Sequence, residues 1–299
     1  MKIGYPCINR TIGCKGDQTF RLKSYSEQRL IDTVTSNLDC LANILKFNVE
    51  HHVLFFRITS DLVPFASHPI CQFDWTSHFK NTLASIGRCI KSNNIRISMH
   101  PGQYTILNTP DRRVLSNSIR ELQYHADVLD ALGLDASAKI QIHVGGVYGD
   151  KDESIRRFIE QYRSLDEAVR RRLVIENDDR SYTFSDCLRI YKETGVPILF
   201  DVFHHELIFS GVSITDALAD IIRTWQRWDG IPMVDYSGHR IGGPKVGHME
   251  SIDTSQFRSF LKAASEFDFD IMLEIKDKET SALKAVEIAR KDRRFFSGR

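Results

Sequence analysis

Five short, largely apolar runs each end on a residue of metal-ligand type: residues 95–99 on His100, 139–142 on His143, 173–175 on Glu176, 197–200 on Asp201 and 271–273 on Glu274. Runs of this length, bounded by turn residues, read as buried parallel strands. A polar residue at the carboxyl end of such a strand sits where α/β barrels keep their chemistry. One such residue would mean little, but five converge on a single cup.

Three further runs, at 2–7, 53–58 and 233–236, complete eight strand candidates, and segments with helical periodicity separate them. Leu30, Val34, Leu38, Leu41 and Leu45 repeat at helical spacing behind a Ser24-x-x-Glu27 capping box. Gly195 closes another helix ahead of Pro197. Eight such repeats in 299 residues predict an α/β chain forming one domain, residues 1–299, with the (β/α)₈ TIM-barrel architecture. An open doubly wound sheet would show fewer strands and a glycine-rich first turn. The connections at 8–24, 60–74, 101–113 and 237–253 are longer than a helix entry needs, and they fall on the face where barrel loops build substrate pockets.

Formal net charge is +1, with 40 Lys and Arg against 39 Asp and Glu, which excludes a global basic footprint. Any affinity for nucleic acid must come from a local patch. Six cysteines, at 7, 14, 40, 71, 89 and 187, show no C-x-x-C spacing. They are expected to be packing thiols of a reduced, intracellular protein, cytoplasmic or nucleoid-associated in a prokaryote. No stretch approaches the ~20 apolar residues that span a bilayer, so no membrane partner is expected.

The strand-end residues can be sorted into metal sites. His100, His143 and Glu176 would hold one divalent ion. Glu176, Asp201, Asp235 and Glu274 would hold a second, and His204 with His248 a third. The donors are nitrogen and oxygen only, which suits Mn²⁺ first, with Zn²⁺ and Mg²⁺ as alternatives. So many acids at one mouth repel each other unless cations hold them.

The strings Gly4-Tyr5-x-Cys7-Ile8-Asn9, Arg57-Ile58-Thr59-Ser60-Asp61-Leu62-x-Pro64 and Ser98-Met99-His100-Pro101-Gly102-Gln103-Tyr104 resemble the UV damage endonuclease family. So do Gln141-Ile142-His143-Val144-Gly145-Gly146, Leu173-Val174-Ile175-Glu176-Asn177-Asp178 and Phe200-Asp201-Val202-Phe203-His204-His205. The resemblance covers nearly the whole chain, and endonuclease IV-type barrels are a more distant relation. It implies a repair enzyme that uses metal-activated water to cut DNA immediately 5′ of cyclobutane dimers and 6-4 photoproducts, leaving a 3′-hydroxyl, with abasic sites as secondary substrates.

The partner expected from the resemblance is UV-damaged double-stranded DNA, bound by a monomer. His100, His143, Glu176, Asp201, His204, His248 and Glu274 fall on family metal positions, with Glu176 and Glu274 also catalytic, and His68 falls near the scissile phosphate. Gln103 and Tyr104 match the pair that enters the duplex, while Tyr5 and Asn9 match the lesion pocket. Candidate phosphate contacts are Arg10, Lys15, Arg112, Arg113, Arg240 and Lys245.

The seventh strand departs from the family pattern. Where members carry a lysine ligand and a histidine, this chain has Met233 and Asp235. Asp235 offers an oxygen, but a thioether is a poor partner for Mn²⁺. The count is therefore two or three ions per chain, with Glu250 a candidate for the missing oxygen. The rival readings are a metal-dependent sugar isomerase or epimerase on the same barrel, and a photolesion-binding protein without nuclease activity.

Overall fold

The computed structural model describes residues 1–208, 210–238 and 247–298. Eight parallel strands close into a barrel in sequence order. They are β1 (Ile3–Pro6), β2 (Phe55–Ile58), β3 (Arg96–Met99), β4 (Lys139–His143), β5 (Leu173–Glu176), β6 (Ile198–Asp201), β7 (Met233–Tyr236) and β8 (Asp270–Leu273). All eight strands expected from the sequence are present, and the closing pair sets Ile3 opposite Ile271.

Helices cover the outside. After β1 to β4 come α1 (Glu27–Glu50), α2 (Trp75–His78), α3 (Lys80–Ser92), α4 (Arg112–Ala131) and α5 (Lys151–Ser164). The second half carries α6 (Glu167–Arg170), α7 (Phe184–Thr194), α8 (Val202–Leu207), α9 (Ile214–Thr224), α10 (Thr254–Ala263) and α11 (Glu279–Ala289). The apolar stripe of α1, including Leu30, Val34, Leu38, Leu41 and Leu45, is buried against the barrel. Its cap differs from the expected box. Ser26, not Ser24, accepts from the Arg29 amide at 3.2 Å, because Leu22–Ser24 is taken up in a 3₁₀ turn. α7 ends as expected on Gly195, whose φ of 73° no β-branched residue would accept easily.

The cysteine expectation needs correction: Cys14 and Cys40 form a disulfide, leaving Cys7, Cys71, Cys89 and Cys187 as thiols. The cause lies in the first loop. Asn37 on α1 accepts from the Gln18 amide at 2.9 Å and donates to the Gln18 carbonyl at 3.0 Å, pulling the loop onto the helix and Cys14 against Cys40. No short-range spacing announces such a pair. Among the described residues no helix is long and apolar enough to cross a membrane.

Candidate metal centre

The carboxyl ends of the strands bring seven of the eight candidate ligands into three overlapping groups: His100, His143 and Glu176; Glu176, Asp201 and His204; Asp201, Asp235 and Glu274. Within each group the ligand atoms lie within 4.8 Å of one another. Strand register does much of this. His143 pairs with Glu176 across β4 and β5, and Asp201 with Asp235 across β6 and β7. His248 joins through Glu274, with Nε2 3.2 Å from Oε2.

Local structure fixes the rest. Asp201 caps α8 by accepting from the His204 amide at 2.7 Å, which sets the imidazole three residues on against the same cup. Asn177 clamps the neighbouring strand ends, donating to the Asp201 carbonyl at 2.9 Å and accepting its amide at 3.0 Å. After His143, Gly145 has a φ of 116°, and a Cβ there would lie 2.4 Å from the Asn108 side-chain oxygen. His100 Nδ1 donates to the Pro101 carbonyl at 2.8 Å, which fixes the ring with Nε2 3.5 Å from Glu176 Oε2, where a neutral imidazole would present its lone pair to a metal.

The electrostatics describe a site built for cations. Burial works against the ionised form of Glu176, yet His143, His100 and His204 outweigh it and hold the carboxyl well below its usual range. Burial also disfavours a charged His204, but Glu176 and Asp201 raise its pKa to about 11. Asp201, desolvated among other acids, is pushed well above the normal carboxylate range. Burial raises Asp235 to about 7 against the opposing pull of Arg57. Protons on imidazoles and carboxyls thus supply the neutralisation that divalent ions would supply.

Several buried atoms here have no hydrogen-bond partner, among them Asp201 Oδ2, Asp235 Oδ1, His143 Nδ1 and His248 Nδ1. Asp201 Oδ2 and Asp235 Oδ1, with the imidazole Nε2 atoms of His100, His143 and His248 turned toward Glu176 and Glu274, make a nitrogen and oxygen donor set that fits a divalent ion. The structure therefore suits the metal expected there.

Other expected residues are placed unevenly. Gln103 lines a cavity of about 310 Å³ with His100, His143, His204 and Arg180. Tyr104, 80% exposed, lines a second of about 470 Å³ with His68, Asn117 and Arg120. His68 is thus beside Tyr104 rather than among the ligands. Tyr5 and Asn9 are buried. The Tyr5 hydroxyl donates to Asn48 at 2.7 Å and accepts from Asn9 at 2.9 Å, while Asn9 also accepts the Thr11 amide. They brace the first loop from below.

Arg10, Lys15, Arg112 and Arg113 are exposed, and Arg240 and Lys245 lie outside the described residues. Glu250 does not supply the missing oxygen. It is exposed and paired with Lys276 at 2.6 Å.

Three residues of the site escape a strand-by-strand reading of the sequence: Arg57, Gln141 and Asn177. Arg57 and Gln141 are buried inside strands, where β2 and β4 should be apolar throughout. A charged or amide residue inside such a run is the signal that could have found them.

A family model described as UV-endonuclease UvdE matches residues 1–293. The UV DNA damage endonuclease of Clostridium perfringens (strain 13 / Type A) is 39% identical over 288 residues, covering 96% of this chain and 70% of that protein. The crystal structure of SacUVDE superposes with a TM-score of 0.93 at 47% identity, over 97% of this chain and 98% of the other. Endonuclease IV from Thermus thermophilus, at 14% identity with a TM-score of 0.57 over 84% and 93% of the two chains, shares the fold. By its sequence over nearly its whole length, the chain belongs to the UV-endonuclease UvdE family.

Proposed function

We propose that this protein, a DNA-repair endonuclease for UV damage, incises the backbone immediately 5′ of cyclobutane dimers and 6-4 photoproducts, and of abasic sites as secondary substrates, leaving a 3′-hydroxyl. The observation that carries the reading is the convergence of His100, His143, Glu176, Asp201, His204, Asp235 and Glu274 at one barrel mouth beside an exposed Gln103-Tyr104 loop. Two or three divalent ions, Mn²⁺ first, would polarise the phosphate and activate water there.

The chain's own groups do the remaining work. Glu176 is shared by two ligand groups and ties them together. Tyr104 fills the gap left by extruded bases, and Gln103 bonds to bases left unpaired. His68, exposed beside Tyr104, steadies a phosphate oxygen or moves a proton. Arg10, Lys15, Arg112 and Arg113 fix the register on the backbone. A photodimer already weakens pairing, so extrusion costs less there than in intact DNA. The working form is one domain and a monomer, acting on chromosomal DNA inside the cell.

The test is a duplex carrying one photodimer, incubated with the metal-stripped protein, with and without Mn²⁺, with the cut position mapped. Nicking one bond 5′ of the lesion only with Mn²⁺ is the expected result. Full nicking in chelator, or cutting elsewhere, overturns the reading.

A further inference from the structure

Just below the ligands, a charged side chain occupies the barrel interior where an apolar one would be easier to bury. Arg57 is 3% exposed, on a strand whose every residue is buried. Its Nη2 donates to Asp235 Oδ2 at 2.6 Å and to Gln141 Oε1 at 2.7 Å, and its Nη1 donates to Glu274 Oε1. β8 is two strands away around the barrel and β7 three, so the guanidinium reaches across the lumen to acids of two different strands. An ammonium could not span them in this way, because only the planar fork presents parallel donors in fixed directions. Gln141 extends the chain of bonds, donating at 2.8 Å to both Glu176 and Asp235.

We propose that Arg57 is the resident cation of the centre: it holds one oxygen each of Asp235 and Glu274, limits both to their other oxygen as metal ligands, and competes with a divalent ion for them. The inference rests on the metal reading above. Four buried or partly buried carboxylates, Glu176, Asp201, Asp235 and Glu274, crowd this mouth, and among the described residues Arg57 is the guanidinium bonded to two of them. The other oxygen of each acid is not held by the guanidinium. Asp235 Oδ1 has no partner, and Glu274 Oε2 faces His248. With their other oxygens taken, neither acid can chelate through both. A positive charge fixed this close to a cation site also lowers its affinity for a second cation, since charges repel strongly where water is excluded.

A merely structural brace and a resident cation make opposite predictions about metal uptake. Losing a brace loosens the ligands and weakens binding. Losing a competitor frees two oxygens and strengthens it. The experiment measures Mn²⁺ affinity and stoichiometry by calorimetry, and metal content after gel filtration, for the wild type, R57K, R57M and R57M/D235N. The expected result is that R57M binds Mn²⁺ about tenfold tighter or takes up one more equivalent. R57K falls between R57M and wild type, and R57M/D235N returns toward wild type because one of the released acids is gone.

Melting with and without Mn²⁺ supplies a second readout. R57M without metal should melt below wild type and gain more from Mn²⁺. Should R57M not fold, R57K decides: affinity or stoichiometry above wild type supports the proposal, and values at or below wild type overturn it. A wild type that binds no divalent ion overturns the metal reading and this inference together. One that binds Mn²⁺ while R57M and R57K bind no better overturns the inference alone.

Discussion

The two ends of this barrel both bury charge, but they resolve it differently. At the amino-terminal end of the strands, cations and anions alternate and answer one another. Lys139 pairs with Asp229 and donates to the Arg171 carbonyl at 3.0 Å, while Arg96 donates to the Asp229 carbonyl at 2.9 Å and packs over the Trp225 ring. Asp270 accepts the Lys2 amide at 2.7 Å and lies 3.9 Å from Arg96. The partnerless atom in this group is a donor, Arg96 Nε. At the carboxyl-terminal end, among the described residues, Glu176, Asp201, Asp235 and Glu274 meet imidazoles and the Arg57 guanidinium, and the atoms without partners include lone-pair acceptors. A donor cannot ligate a cation, and an acceptor can. The lower end is a finished salt-bridge floor, and the upper end is a receptor for charge supplied from outside.

The sharpest way to break that contrast is to neutralise one acid at the top. Glu176→Gln keeps the shape but removes the charge shared by two ligand groups. Nicking of a photodimer duplex should fall by about 10³-fold or more, the scale at which metal assistance acts, and Mn²⁺ uptake should fall with it. The metal-free protein should also melt below wild type, because the imidazoles around Glu176 lose their buried counter-charge. A large loss of stability with retained nicking would place Glu176 in a structural floor like the lower one.

At the lower end the expectation reverses. Lys139→Met removes one member of a buried pair and leaves Asp229 without its ammonium, which costs about 3–5 kcal/mol of stability in such settings. Chemical denaturation should show that loss, while nicking per folded molecule stays within about twofold. A fall in turnover of the folded enzyme as deep as that of Glu176→Gln would mean the two ends are not separate.

Part of the contrast is legible in the amino-acid sequence. A ligand at the end of an apolar run is a local pattern, so His100, His143, Glu176, Asp201 and Glu274 can be read one strand at a time, and strand register then brings them together. Arg57 and Gln141 cannot be placed that way. Which acids a residue meets across a barrel depends on closure and stagger, which no single segment encodes. The burial of Tyr5 is hidden from the sequence for a related reason. In a four-residue strand with every position buried, sequence position alone does not say whether a side chain faces the mouth or the packing beneath it. The Cys14–Cys40 bond depends on Asn37 folding the first loop over α1, again a long-range event.

Acid titration sharpens the comparison behind the upper end. His125 on α4 is fully buried, with Nε2 3.1 Å from Ser60 Oγ, which itself donates to the His100 carbonyl at 2.7 Å. Burial lowers its pKa from 6.5 to about 4. Between those values the unfolded chain binds a proton that the folded chain does not, so stability present above pH 6.5 is lost as pH falls toward 4. The loss from this group is roughly 3 kcal/mol. Unfolding free energies from about pH 7 to 4 should therefore show a shallower acid slope for His125→Gln than for wild type, and an unchanged slope removes His125 from the account.

The smallest effect concerns a side chain that neither end buries. Tyr104 is 80% exposed and lines the cavity beside His68, so removing it costs the folded protein little. On the proposed reading its value lies in the duplex, where an aromatic ring stacked on bases contributes about 1–3 kcal/mol. Tyr104→Ala should leave the melting temperature and Mn²⁺ uptake at wild-type values. Binding to a photodimer duplex should weaken by roughly ten- to a hundredfold at fixed salt, with a smaller change for undamaged DNA. Equal weakening on both duplexes would make Tyr104 a general backbone contact, and discrimination of damage would then have to reside in the cup and its loops.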